Sequence, residues 1–376
     1  MKSIQTKKGQ IELTFNWVYI LIAGTLILLF FVGLVFKQKA SSEEKLTADV
    51  VEVLDSIFTG ASVSEKTKHF IDTSSIADYT LSFTCEEGIT DFGIKDSPTR
   101  KQNAVTPIFS LREMISPQMI LWSLPYKLPF KVIDFLFVTS ADTKYFLVGN
   151  DIQFGQEFLD ATEDPSPKLK IKRESADTLD EIIEHGNLDL RIVDLKGSQI
   201  VHDIPLPANL QEIEEDRITA VSFAGGNVWF YQVKNGRWKR TNLNPSQIIS
   251  LPGERDAAKY AAIFSADDEI YRCNMQKAFQ RLEYLTEVYY GKTTNLINHY
   301  ESRGDLANAE DCLLNLDRSP NNVAEVLGAH RNIAISCRVS SASGSQLEIC
   351  DDLEGTAASL KRLNENLEEK GCVKLY

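Results

Sequence analysis

The sequence predicts an α+β protein: an N-terminal transmembrane helix, an antiparallel β-rich domain and a C-terminal helical domain with disulfides. Three observations carry this. Residues Trp17 to Phe36 run twenty positions without a charge. Short apolar runs punctuated by Gly and Asn turns fill the middle of the chain, as strands and hairpins do. From Glu254 onward the apolar period changes from two to 3.6, and five of the six cysteines fall in that last stretch.

At about 1.5 Å of rise per residue, a helix over 17–36 just spans a hydrocarbon core of about 30 Å. A cleaved signal peptide has a shorter apolar core and a small-x-small cleavage site, whereas Lys37-Gln38-Lys39-Ala40-Ser41-Ser42 follows here. The lipid bilayer is therefore the first predicted partner, through a retained single-pass anchor. Lys2, Lys7 and Lys8 precede the span and Lys37, Lys39 and Lys45 follow it, so basic-residue bias leaves the orientation open. Past the anchor, Ser42-Glu43-Glu44 caps an amphipathic helix over 42–60, with Leu46, Val50, Val53, Leu54 and Ile57 on one face and Gly60 closing it.

Lys7-Lys8-Gly9-Gln10, the acid Glu12 and the unbroken apolar helix resemble the N-termini of type IV pilin-like proteins, above all archaeal ones with a class III signal peptide. The resemblance covers residues 1–60. It implies cleavage between Gly9 and Gln10 and packing of the apolar helix in a filament core. The acid stands third after the glycine, however, where the family places it fifth, a position held here by Thr14.

The cysteines are Cys85, Cys273, Cys312, Cys337, Cys350 and Cys372. None sits in a CxxC or at zinc-ligand spacing with histidine, so disulfides are the favoured reading over small buried apolar residues. Disulfides need an oxidising compartment. This places the body outside the cytoplasm at the cell surface, with residues 1–16 as a short cytoplasmic segment. Connectivity does not follow from spacing: Cys85 is either the long-range partner of one C-terminal cysteine or a free thiol. No Asn-x-Ser/Thr sequon adds to the assignment.

The body divides into a β-rich domain over 61–250 and a helical, cysteine-containing domain over 254–376. Val132–Val138 and Lys144–Val148 read as a hairpin turned at Ser140–Asp142, as do Leu190–Leu195 and Gln199–Ile204 about Lys196-Gly197-Ser198. Ile218–Phe223, Val228–Val233 and Arg237–Thr241 form a meander, with Trp229, Tyr231 and Val233 on one face and Val228 and Phe230 on the other. The 42–60 helix is the expected cover for its second face. Asp160–Asp180 reads as an exposed linker, and Asn244 to Gly253 as the handover to the helices. There Ser265 caps a helix with two apolar stripes, one with Tyr271, Met275, Ala278, Leu282, Leu285 and Tyr289, the other with Ile270, Cys273, Tyr284 and Val288. Ser319-Pro320 opens a helix lined by Val323, Leu327, His330, Ala334 and Cys337, and the last helix carries Ile349, Cys350, Leu353, Leu360 and Leu367 and ends at Gly371.

A net charge of −13 argues against a nucleic-acid partner, which requires a basic face. Gly291-Lys292-Thr293 lacks the upstream glycine of a phosphate loop, because Thr286 stands there. His69, His185, His202, His299 and His330 form no metal pair, and His330 on an apolar face reads as a core histidine. Asp134 and Asp142 flank a strand and its turn, where carboxylates mostly cap backbone. No catalytic motif, metal or cofactor is predicted. The sequence points to a structural or binding role, with a protein partner or a second copy as further occupants. A cavity holding convergent titratable groups would point to an enzyme instead.

Overall fold

The computed structural model describes residues 21–30, 32, 45, 47–60, 68–74, 79–115, 118–149, 152–164, 166, 171–182, 188–251, 256–304, 306–343 and 350–376. Helix α1 covers 47–60. Strands β1 (Lys68–Asp72), β2 (Leu81–Glu86), β3 (Ile89–Ile94), β4 (Arg100–Asn103), β5 (Ile108–Ser110), β6 (Glu113–Met114), β7 (Gln118–Lys127), β8 (Lys131–Ser140) and β9 (Thr143–Val148) follow. Next come α2 (Ile152–Thr162), β10 (Lys172–Ala176), β11 (Asp189–Asp194), β12 (Ile218–Ala224), β13 (Asn227–Lys234), β14 (Arg237–Arg240) and β15 (Ser246–Gln247). The C-terminal part is helical: α3 (Ala257–Phe264), α4 (Asp268–Ser302), α5 (Ala309–Leu313), α6 (Val323–Ser343) and α7 (Asp351–Glu369).

The middle of the chain is β-rich, as expected, but its two larger sheets are mixed rather than antiparallel. The first has the order β1-β7-β8-β5, with β5 parallel to β8. The second runs β10-β9-β11-β12-β13-β14; β10, β9, β11 and β12 are parallel, and the β12-β13-β14 meander is antiparallel. A small sheet, β4-β3-β2-β6, completes the set among the described residues.

Side-chain alternation on β7 and β8 explains where the cores lie. Met119, Leu121, Leu136 and Val138 face α1 and the small sheet, meeting Val51, Leu54, Phe58, Phe83 and Phe92. Ile120, Trp122, Phe135 and Phe137 face the helices. There α3 lies between the two larger sheets, its Tyr260 ring 5.1 Å from Trp122 and its Phe264 ring 5.1 Å from Phe137 on one side, and Phe264 5.2 Å from Tyr145 on the other. The same hydrophobic cluster takes in residues on both sides of position 254, from Phe109 to Ala357.

Several local expectations change. Strands β8 and β9 are no hairpin: they join different sheets, because Asp142 O accepts the Asp189 N–H at 2.9 Å and so starts β9 beside β11. Residues 199–204 form no strand either. The buried Asp194 carboxylate accepts the N–H groups of Lys196, Gly197, Gln199 and Ile200 at 2.8–3.1 Å, taking donors that a ladder would use. Gly197 holds φ +71°, and a Cβ there would stand 2.6 Å from Phe223 O, so glycine is required at this bend. The 160–180 stretch contains the end of α2 and β10, a short polar strand at a sheet edge, where charge is tolerated because only one side is paired. The meander stands as expected, with its faces divided as expected. Its covers differ: Val228 and Phe230 meet the α3/α4 core, and Tyr231 and Val233 meet Leu179, Ile182, Leu206 and Leu210 from the short turns beside the sheet. Helix α1 buries Val51 and Phe58, while Val53 points outward, because the buried stripe lies on Thr47, Val51, Leu54 and Phe58.

Helix caps shift as well. Ser265 ends α3, its Oγ donating to Ala261 O at 2.7 Å, and Asp267 caps α4 by accepting Ile270 N–H at 3.1 Å. Asn322 rather than Ser319 caps α6, accepting Glu325 N–H at 2.9 Å, since the Ser319 hydroxyl is used on Leu314 O. In α4 the stripe from Tyr271 to Leu282 is buried; the second stripe is buried only at Ile270 and Cys273, with Tyr284 and Val288 exposed.

Residues 21–30 and 32 of the predicted span are α-helical, and Leu21 (56%), Ile22 (56%), Leu26 (62%), Ile27 (58%), Leu28 (64%) and Leu29 (60%) are largely exposed. The rest of 17–36 lies outside the described residues, as do Gly9 and Gln10. Among the described residues no helix is long and apolar enough to cross a membrane.

The join between sheet and helices rests on Arg191 of β11. Its buried guanidinium donates to Ala262 O (3.2 Å), Ile263 O (3.0 Å), Ala266 O (3.3 Å) and Ser265 O, the carbonyls that end α3. These groups carry the negative end of the helix dipole, so they replace a carboxylate as counter-charge. Replacing Arg191 by Leu should lower stability by about 3 kcal/mol or more, read as a lower urea midpoint, because several buried acceptors lose their donor at once. Arg191→Lys should restore only part of it, since an ammonium cannot reproduce the planar fork.

Candidate functional site

All six predicted cysteines are paired. Cys85 (β2) bonds Cys273 (α4), Cys312 (α5) bonds Cys372 beyond α7, and Cys337 (α6) bonds Cys350 at the start of α7. The long-range partner of Cys85 is thus Cys273, across 188 residues. By loop-closure entropy each bridge contributes on the order of 3 to 5 kcal/mol, most for the longest loop. Two bridges staple the helical part internally; the third fastens α4 to the small sheet.

The remaining candidates stay apart. His330 is buried on α6, sharing hydrogen bonds with Thr356 Oγ1 (2.8 Å) and Leu128 O (3.2 Å), and burial lowers its pKa to about 4. It is the satisfied core histidine expected. His69, His202 and His299 lie on separate elements, and His185 is outside the described residues. Gly291-Lys292-Thr293 is interior to α4, where Lys292 Nζ donates to Leu375 O at 2.8 Å. No group of three His, Cys, Asp or Glu at metal-holding distance occurs among the described residues.

What the structure does bring together is a cavity of about 470 Å³ between α4, the start of β8 and the loop after β4. Lys277, Arg281 and Tyr284 line it from α4, and Lys131 and Asp134 from β8; Val105 edges it from the loop. Helical spacing puts 277, 281 and 284 on one face, directly below Cys273.

Lys277 is 3% exposed. Its Nζ donates to Thr90 Oγ1 (2.6 Å), Asn103 O (2.8 Å) and Thr106 O (3.1 Å). Thr90 in turn donates to Asn274 Oδ1 (2.9 Å), which also accepts the Ile108 N–H (2.9 Å). This network, beside the Cys85–Cys273 bridge, sets the loop that walls the cavity. All three acceptors of Lys277 are neutral. Burial pushes its amine down to about 7, and no carboxylate opposes the shift. Three acceptors, which only the ammonium can satisfy together, work against a further fall.

Asp134 is 8% exposed; its Oδ2 pairs with Lys131 Nζ at 2.8 Å, while Oδ1 is buried with no hydrogen-bond partner. Arg281 has no hydrogen bond or ion pair among the described residues. The cavity therefore holds three cations and one carboxylate in a chain of net charge −13. Lys277 and Arg281 were not legible as site residues because they interrupt the second stripe of α4 between Cys273 and Tyr284, where charge normally means solvent. The available signal was Asn274 and Lys277 lying within the turn flanked by Cys273 and Ala278, both core residues.

In the folded state Lys277 titrates near 7, against 10.5 when exposed, so between these values the unfolded chain holds the extra proton and stability rises with pH. Below about 7 the cost of the buried charge is present in full. Urea midpoints measured from pH 7 to pH 10 should therefore rise more steeply for the wild type than for Lys277→Met; equal slopes would refute the assignment. Comparison with family models, with curated proteins and with solved structures finds no match for this chain, so its function has to be argued from this geometry.

Proposed function

We propose that this is a single-pass membrane protein whose disulfide-bonded body stands outside the cytoplasm and serves a binding role. One observation carries the anchoring: a helix over 21–30 in which Leu21, Ile22, Leu26, Ile27, Leu28 and Leu29 are all more than half exposed, an arrangement favoured where lipid or another apolar surface replaces water. The Thr25 hydroxyl supports it by donating to Leu21 O at 2.8 Å, which leaves its polar hydrogen satisfied within the helix. The body's three disulfides favour an oxidising compartment.

The cavity does gather titratable groups, Lys131, Asp134, Lys277 and Arg281, the arrangement named above as pointing to an enzyme; binding is favoured over catalysis by how those groups are engaged. The Lys277 N–H groups are all engaged, Asp134 is paired to Lys131, and no nucleophile there contacts a base. The exposed apolar helix equally fits the pilin-like alternative, in which it would pack against copies of itself.

In membranes of producing cells the full chain should stay in the pellet after alkaline carbonate extraction, and its body should be digested by protease added to intact cells. Release by carbonate, or six reduced thiols reached only after lysis, would refute the anchored surface reading. Intact mass separates the alternatives: a mature chain starting at Gln10 supports filament membership, and retained Met1 removes it.

A further inference from the structure

The α4/β8 cavity can be assigned a ligand class from its own electrostatics, which deepens the binding role proposed above while resting on none of the membrane topology. Its wall carries Lys131, Lys277 and Arg281 against Asp134. Lys131 and Asp134 neutralise each other at 2.8 Å. That leaves the exposed, unengaged guanidinium of Arg281 and the buried amine of Lys277, one helical turn apart on α4. An excess of positive charge concentrated in one concave site of an acidic chain draws anions locally against the overall field.

Asp134 Oδ1 has no accessible surface, so the site offers a ligand no free acceptor there. Val105, Val132, Ile133 and Tyr284 supply apolar wall between these polar points. A volume of about 470 Å³ accommodates a molecule of one ring or a short chain.

We propose that this cavity binds a small organic carboxylate: Arg281 donates to the carboxylate and Lys277 contributes its charge from behind. A monoanion is preferred over a dianion because the uncompensated charge of the site is Arg281 together with a lysine that is only partly protonated at neutral pH. Lys277 is not the hydrogen-bond donor, since Thr90, Asn103 and Thr106 already take its three N–H groups. The ionisable groups around it are Lys131 and Asp134 across the cavity and Arg281 on its own helix; β3 and the loop present only Thr90 and backbone carbonyls. An anion bound beside it favours the ammonium, so binding near pH 8 takes up a proton.

The test uses the full chain in detergent, titrated calorimetrically with 4-hydroxybenzoate and with its uncharged isostere 4-hydroxybenzamide. The carboxylate should bind, with affinity falling between pH 6 and pH 9, and the amide should bind at least about tenfold more weakly. Arg281→Gln, at an exposed position outside the core, should weaken 4-hydroxybenzoate by about tenfold or more while leaving the unfolding midpoint unchanged. Lys277→Met should remove the pH dependence; if that variant does not fold, the Arg281→Gln result decides alone. Equal affinity for acid and amide, no binding of 4-hydroxybenzoate up to about 10 mM, or unchanged binding in Arg281→Gln would each overturn the proposal. None of these outcomes depends on which side of a membrane the body occupies.

Discussion

The arrangement of the body depends on a buried arginine. Arg191 stands in the middle of a parallel strand, and its guanidinium ends α3 by taking the last carbonyls of that helix. Because α3 fills the space between the two larger sheets, fixing its end fixes the elbow that follows, and Asp267 starts α4 immediately beyond. On the outer side of the elbow, Arg112 pairs with Asp267 and Glu269. The direction of α4, and with it the position of Asn274, Lys277 and Arg281, follows from these two arginines.

Among the described residues, Arg191 and Lys277 are buried cations that hydrogen-bond no carboxylate, and their surroundings differ. Arg191 faces oriented carbonyl dipoles at a helix end, and although burial lowers its pKa to about 10, it stays charged at physiological pH. Lys277 faces a hydroxyl and two loop carbonyls, which sum to a weaker field, and its amine is held near 7. One cation is a fixed structural element; the other responds to its surroundings. That difference is why the cavity beside Lys277, rather than the larger acidic groove where Asp142, Asp189 and Asp216 meet Arg217, is the more informative place to look for a ligand.

Patterns with one cause were legible in the residues. The β12-β13-β14 meander could be read because Gly225-Gly226 and Asn235-Gly236 supply positive φ and the strands alternate cleanly between them. The buried face of α6 could be read because Val323, Leu327, His330, Ala334 and Cys337, all buried, lie on one stripe. The two misread hairpins failed for the opposite reason. Ser140–Asp142 and Lys196–Ser198 look like turns, and they are turns, but whether the following segment returns alongside depends on partners remote in the chain: Asp189 for the first, the Asp194 carboxylate for the second. The cavity was invisible for a related reason, since its cations were placed by the α3–α4 elbow and not by local spacing.

By itself the sequence determined the composition of the parts: an uncharged apolar run at 17–36, a β-rich middle, a helical C-terminal third, and six cysteines suited to pairing. These follow from periodicity, turn chemistry and residue type, all of which act over a few neighbours. Only the tertiary structure decided that Cys85 meets Cys273, that half of the second sheet is parallel, and that Lys277 lies dry beside an Arg281 with no partner among the described residues. Each of these joins residues far apart in the chain, where burial and closure of the whole fold, rather than local preference, select the partner.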